Sequence, residues 1–192
     1  MSGETQLLES ARAGSLAAFE ELVLRYEKKI YNYCYRMTNN EQDAEDLTQE
    51  VFIKVYKNLK SFRGNSHFST WVYRIAHNIC IDRYRRMKIS SVSLSAGGSG
   101  EDDKEIEIAS NDQSPEEAVI TREQQELLQK CITELKPQYR SAIVLRDIQN
   151  YSYEEISRIM DIPIGTVKSH ISRARSALRE IVCMRLKGGG TG

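Results

Sequence analysis

Apolar side chains recur at steps of three and four from Phe19 through Leu22, Val23, Tyr26, Ile30 and Tyr33 to Met37, a period that a long amphipathic helix with one buried face satisfies. Ser15, just after Gly14, is placed to cap its start, and Asn39-Asn40 to stop it. A second helix is expected from near Glu41, with Ala44, Leu47, Val51, Val55 and Leu59 on its buried stripe and its acids early and lysines late, as the helix dipole prefers. A third is expected from about Phe68 to Arg86, and no segment of this half alternates with the period of a strand. Further on, residues 114–117 (SPEE) open a helix with Pro at its first position and acids in its first turn, lined by Leu127, Leu128, Cys131, Ile132 and Leu135. Pro137 restarts the chain, and Ala142, Ile143 and Leu145 mark a short helix. Residues 152–155 (SYEE) read as a capping box ahead of Ile156, Ile159 and Met160. Asp161-Ile162-Pro163 then breaks the chain before another long helix. The expected fold class is all-α.

The 27 basic and 27 acidic residues among 192 cancel, yet their distribution is strongly segregated. Residues 52–88 hold nine basic side chains and one acid, Asp82; residues 89–126 hold two basic and ten acidic ones; residues 127–192 hold eleven basic and six acidic ones. Two cationic helical blocks therefore flank an anionic connector whose Ser90-Ser91, Gly97-Gly98-Ser99-Gly100 and Glu101-Asp102-Asp103 show no sustained apolar period. Its glycines do not form a phosphate cradle, because no strand leads in, no Lys-Ser/Thr follows and the following acids would repel a phosphate. The expected organisation is a helical domain over 1–88, a flexible acidic linker over 89–114, a second helical domain over 115–187 and a tail over 188–192. No apolar run approaches the ~20 residues of a membrane span, and the acidic first thirty residues carry no signal peptide core, so a cytoplasmic protein is expected. Cys34, Cys80, Cys131 and Cys183 show neither C-x-x-C nor His at ligand spacing and read as buried free thiols; no metal or cofactor is expected.

On a wheel of about 100° per residue, the last helix buries Val167, Ile171, Ala174 and Leu178 and turns Ser169, Ser172, Arg173 and Ser176 outward, with Lys168, Arg175 and Arg179 on the flanks. Short hydroxyls admit the backbone to base edges, an Arg can pair bidentately with guanine, and flanking cations hold phosphates. The eighteen residues between Asp161 and Glu180 lack an acid, which favours a duplex-DNA reader over an ordinary solvated face. Two helices joined by so brief a break form a helix-turn-helix candidate, and Gly165 and Thr166 offer backbone N–H groups to a phosphate.

The first cationic block suits an unpaired strand. Residues 62–71 (FRGNSHFSTW) interleave aromatics, small polar side chains and a glycine ahead of a basic helix, as stacking on single-stranded bases requires. The wheel sends Phe68, Val72, Ile75 and Ile79 to the core with Trp71 at its edge. Thr70, Arg74, His77, Ile81 and Arg85 form another ridge, with Asn78 beside it. A flipped base needs a small polar pocket, which residues 65–69 could supply. Asp82 reads as an inward-facing ion-pair partner among the arginines.

The segments 43–52 (DAEDLTQEVF), 62–64 (FRG) with 68–78 (FSTWVYRIAHN), 153–156 (YEEI) and 162–175 (IPIGTVKSHISRAR) resemble, in this order, an extracytoplasmic function (ECF, group IV) sigma factor of bacterial RNA polymerase, in the sigma-70 family. That resemblance implies a sigma2-like helical bundle and a sigma4-like helix-turn-helix domain serving the core enzyme (β′ and β subunits) and promoter DNA. Asp46, Gln49, Glu50 and Ile53 would meet the β′ clamp helices. Arg63, Asn65, Ser66, His67, Ser69, Thr70, Trp71, Arg74, Asn78 and Arg85 would capture the melted −10 strand. Thr166, Lys168, Ser169, His170, Ser172, Arg173 and Arg175 would read the −35 element. The wheel sets His170 beside the core whereas the resemblance sets it close to DNA. The resemblance further implies an anti-sigma factor, often membrane-anchored, as a partner.

A free-standing dimeric helix-turn-helix regulator is the alternative, but it needs one reader and a symmetric interface rather than two cationic blocks around an acidic connector. An enzyme finds no support: the three His are scattered and no H-E-x-x-H, P-loop or G-x-S-x-G occurs, so no catalytic residue is assigned.

Overall fold

The computed structural model describes residues 3–64, 66–93 and 115–188, and among them the secondary structure is helical throughout. The first half is α1 (Gly3–Arg12), α2 (Leu16–Thr38), α3 (Glu41–Asn58), a 3-10 turn (Leu59–Ser61) and α4 (Phe68–Ser93). The second is α5 (Pro115–Glu134), α6 (Pro137–Ile143), a π turn (Val144–Ile148), α7 (Tyr153–Met160) and α8 (Ile164–Gly188). The glycine run, Glu101-Asp102-Asp103 and Asn65 lie outside the described residues.

The boundaries follow local chemistry. Ser15 accepts from the backbone N–H of Ala18 at the start of α2, and Asn39 closes it in the left-handed region at φ 56°, a conformation Asn tolerates better than most residues. Asn40 then caps α3 by accepting from the N–H of Asp43 at 2.8 Å. Ser152 and Glu155 complete a reciprocal capping box on α7. One helix was not foreseen and two readings need correction. Helix α1 carries only Leu7, Leu8 and Ala11 as apolar anchors, too few to register a period. Helix α4 continues past Arg86 through five positions assigned to the linker. Leu128 is exposed, and its neighbour Gln129 is buried instead, its amide donating to the Tyr35 carbonyl while its oxygen accepts from Arg36.

In the first half α2 packs on α1, α3 and α4; in the second, α8 packs on α5, α6 and α7. The cores are filled by the expected stripes, Leu22, Ile30, Val51, Val55 and Val72 in one and Ile156, Ile159, Val167, Ile171 and Ala174 in the other. Cys34, Cys80 and Cys131 are buried, as expected; Cys183 is exposed, contrary to that expectation. No described helix is long and apolar enough to cross a membrane.

The halves are docked: α2 and α4 meet α5, α6 and α7, and the buried side chains of both halves form one cluster. Arg140 holds the junction. Its guanidinium is buried and donates to the carbonyls of Met37 in α2 and of Thr133 and Leu135 at the end of α5. Two helix C-termini, with their partial negative charge, thus take the place of a carboxylate.

Candidate nucleic-acid interface

On α3, Ala44, Leu47, Val51 and Val55 face the core, which by helical geometry turns Asp46, Gln49 and Glu50 to solvent. Ile53 is 54% exposed beside Tyr56 at 55%. The structure therefore gathers the four residues assigned to polymerase on an exposed acidic face with an apolar edge. Glu50 lies 4.0 Å from Lys54 one turn on, an exposed pair worth only tenths of a kcal/mol.

The turn leading into α4 is built on aromatics. Phe62, Phe68 and Trp71 form a triangle with ring centroids 5.1 to 5.8 Å apart, and Tyr26 meets Phe68 edge-on at 5.4 Å. Phe62 and Phe68 are core residues and Trp71 is half-buried at their rim, so of the three rings Trp71 alone keeps appreciable exposure. Gly64 sits at φ +72°, and so the loop turns where a side chain would be strained. From this base Arg63 and His67 are exposed, Ser66 is half-buried, and Asn78 and Arg85 lie in solvent along α4. Arg85 pairs with Asp82 at 3.8 Å; Asp82 is therefore an ion-pair partner, but an exposed one.

Of the remaining −10 candidates on α4, Arg74 meets the second half of the chain, 3.1 Å from the Asp161 carboxylate. Ser69 is half-buried, and Thr70 is buried with its hydroxyl unpartnered among the described residues. His77 does not belong to the exposed ridge. Its Nδ1 is 2.8 Å from Ser141 Oγ of α6, which is 2.8 Å from the Tyr33 hydroxyl. Burial first, then the Arg85 charge, pushes the imidazole down to about 4, leaving it neutral at pH 7.

At the start of α8 the N–H groups of Thr166 and Val167 both return to the Pro163 carbonyl, so that of Thr166 is already engaged. The preceding turn is fixed by Asp161 at φ 56° and by Ser157 Oγ, which donates to the Ile162 carbonyl at 2.6 Å. Lys168, Ser172, Arg173 and Arg175 are exposed, Thr166 and Ser169 half-buried. Ser169 curls back to donate to the Thr166 carbonyl. His170 sits beside the core, as the wheel has it: half-buried, it meets the Tyr139 ring edge-on at 5.2 Å, and its buried Nδ1 has no partner among the described residues. Its pKa is lowered by burial and then by Arg173.

Three supporting residues escaped the sequence reading. Tyr139 accepts from Arg173 at 3.4 Å. Tyr153 lies under both Arg146 and Lys168, 4.8 and 5.9 Å from its ring centre. Asp147 takes Arg175 in a bidentate pair at 3.0 and 2.6 Å, so that guanidinium is already engaged. The one available signal was Tyr153 at the start of the capping box, since an aromatic there sits beside the next helix's first turn.

Residues 22–88 match the Sigma-70 region 2 model and residues 125–178 the Sigma-70 region 4 model. The chain is 42% identical to the ECF RNA polymerase sigma factor SigW of Bacillus subtilis over 90% of this chain and 93% of that one. It is 39% identical to the RNA polymerase sigma-H factor of Pseudomonas aeruginosa, over 91% of each chain, and 39% identical to the ECF sigma-E factor of Escherichia coli, over 90% of each. Among solved structures, the fold is similar to that of the sigma factor RpoE in complex with the anti-sigma factor NepR from Bartonella quintana. That match has a TM-score of 0.68 and 24% identity over 85% of this chain and 96% of that one. It is likewise similar to CnrH in complex with the cytosolic domain of CnrY, with a TM-score of 0.64 and 21% identity over 93% and 96%.

Proposed function

The chain belongs to the ECF sigma factors, and from that premise we propose how its surfaces divide the work of starting transcription at chosen promoters. It is a specificity subunit: it binds core RNA polymerase, and the polymerase supplies the chemistry of RNA synthesis. Residues 1–88 form the unit that binds polymerase and holds the −10 strand, 89–114 the connector, 115–187 the −35 reader and 188–192 a tail.

In this reading Asp46, Gln49, Glu50 and Ile53 dock on the β′ subunit through the exposed acidic face of α3. Arg63, His67, Asn78 and Arg85 hold phosphates and edges of the unpaired strand, Trp71 offers it a ring edge, and Asn65, Ser66, Ser69 and Thr70 line the base pocket. Arg173 reads a base pair while Lys168 and Arg175 hold the flanking phosphates; Ser169, His170, Ser172 and Thr166 complete the contact. The protein acts in the cytoplasm, where promoter DNA is, and an anti-sigma factor holds it inactive.

The observation that carries this reading is the solvent-facing, acid-free stretch of α8 behind a tightly capped turn, in one chain with a second cationic helix and an acidic α3 face. A dimeric regulator has no use for the last two. The test is competition for purified core polymerase. Neutralising Asp46 and Glu50 together lowers affinity for polymerase while duplex binding by α8 is retained; equal affinity would remove α3 from the interface.

A further inference from the structure

Arg173 and Arg175 are both exposed on α8, two residues apart, yet they are held by different chemistry. Arg175 sits in the bidentate grip of Asp147 at 3.0 and 2.6 Å, and a carboxylate there offsets its positive charge. No acid pairs with Arg173 among the described residues; its Nη1 donates instead to the Tyr139 hydroxyl of α6 at 3.4 Å. A phenol orients a guanidinium without neutralising it, and the four remaining N–H donors stay available for a base edge and a phosphate.

Tyr139 also braces a second side chain of that face. Its ring meets His170 edge-on with centroids 5.2 Å apart, and a residue three positions before another lies beside it on a helix surface. One side chain from a neighbouring helix thus touches two adjacent reader positions, ring to His170 and hydroxyl to Arg173. Burial and then the Arg173 charge lower the His170 pKa, which favours a neutral imidazole beside the guanidinium. The support beneath Tyr139 is stiff. Pro137 opens α6, the N–H groups of Tyr139 and Arg140 both return to the Lys136 carbonyl, and the four residues after Tyr139 are buried, where α6 packs on α8.

We propose that Tyr139 is a positioning residue of the −35 reader: its hydroxyl presets the Arg173 guanidinium and its ring the His170 imidazole, so that part of promoter choice is set from α6, outside the recognition helix. This rests on the assignment of α8 to the −35 element. An exposed arginine samples many rotamers, and ordering it on a base pair costs entropy that a held guanidinium has already given up. A bidentate contact to guanine also demands an aligned fork. A preset fork favours the base that matches it, whereas a free one can settle on a neighbouring phosphate. Loss of the hydroxyl therefore weakens discrimination at one base pair more than it weakens binding as a whole.

The test is run-off transcription by core polymerase with the full chain on templates randomised across the −35 element, so that the transcripts report the base preference at each position. Tyr139→Phe keeps the ring and deletes only the hydroxyl. The expected result is a preference about fivefold weaker, the worth of one ordinary hydrogen bond, at the single position that Arg173→Ala also weakens, with the other positions unchanged. In the Arg173→Ala background Tyr139→Phe then adds nothing, a coupling that a merely structural tyrosine would not show. Unaltered preference at every position, an equal loss spread over all of them, or the same loss with Arg173 already removed would each overturn the proposal. If Arg173→Ala itself leaves every −35 preference intact, the assignment of α8 falls; if it acts and Tyr139→Phe does not, the positioning role alone falls.

Discussion

His77 has been taken out of water without an acid to balance it, and its neutral form is what the Ser141 and Tyr33 hydroxyls accommodate. Because its folded pKa of about 4 lies below the unfolded value near 6.5, the unfolded chain binds the extra proton first as pH falls. The stabilisation is therefore fully present above about pH 6.5 and is lost between there and about pH 4, amounting to about 3 kcal/mol at most. Denaturant titrations across that window should show stability falling with pH in the wild type, and a flatter profile in His77→Gln, which has no proton to take up. An unchanged slope would mean that the imidazole is not held neutral. No sequence pattern shows this burial: on the α4 wheel His77 shares its arc with Arg74 and Arg85, and only the arrival of α6 turns that arc into an interior. Arg140 makes the same point, since a lone cation in a helix of ordinary composition gives no sign that it spans the ends of two others.

At the scale of helices, the turn before the duplex reader is rigid because α7 is held at both ends, by Ser152 with Glu155 at its start and by Asp161 and Ser157 at its finish. Ser152→Ala removes the cap and should cost about 1 kcal/mol, read as an earlier midpoint in urea, with a correspondingly looser placement of α8. Arg173→Ala tests the reader itself. It should lose about 1–3 kcal/mol of discrimination at one upstream base pair while competing for core polymerase as well as the wild type; a large loss of core binding would show that α8 serves another surface. These elements were legible in the sequence because their signals are local: Asn39-Asn40, SYEE and the Asp161-Ile162-Pro163 break each fix a boundary within a turn. The π turn after Ile143 and the length of α4 were not, since both depend on what the helices dock against.

For the molecule as a whole, order along the chain was readable and arrangement in space was not. Charge segregation separated two cationic helical halves; the α3 positions assigned from sequence share an exposed face, whereas those on α4 are divided between solvent, the interior and the seam between the halves. The docking of the halves across α2, α4, α6 and α7 depends on residues such as Tyr73, Ser141 and Gln149, which are polar or aromatic and were not part of any period read from the sequence. Arg74 and Arg175, assigned to DNA from sequence, are both paired with acids of the second half, Asp161 and Asp147. The central claim, that this chain directs a polymerase to promoters, is tested most directly by run-off transcription with purified bacterial core enzyme on a library of promoter sequences. The expected result is transcripts that appear only when the chain is added and start downstream of a shared pair of −35 and −10 motifs. Transcripts independent of the chain, or none from any core enzyme, would contradict it.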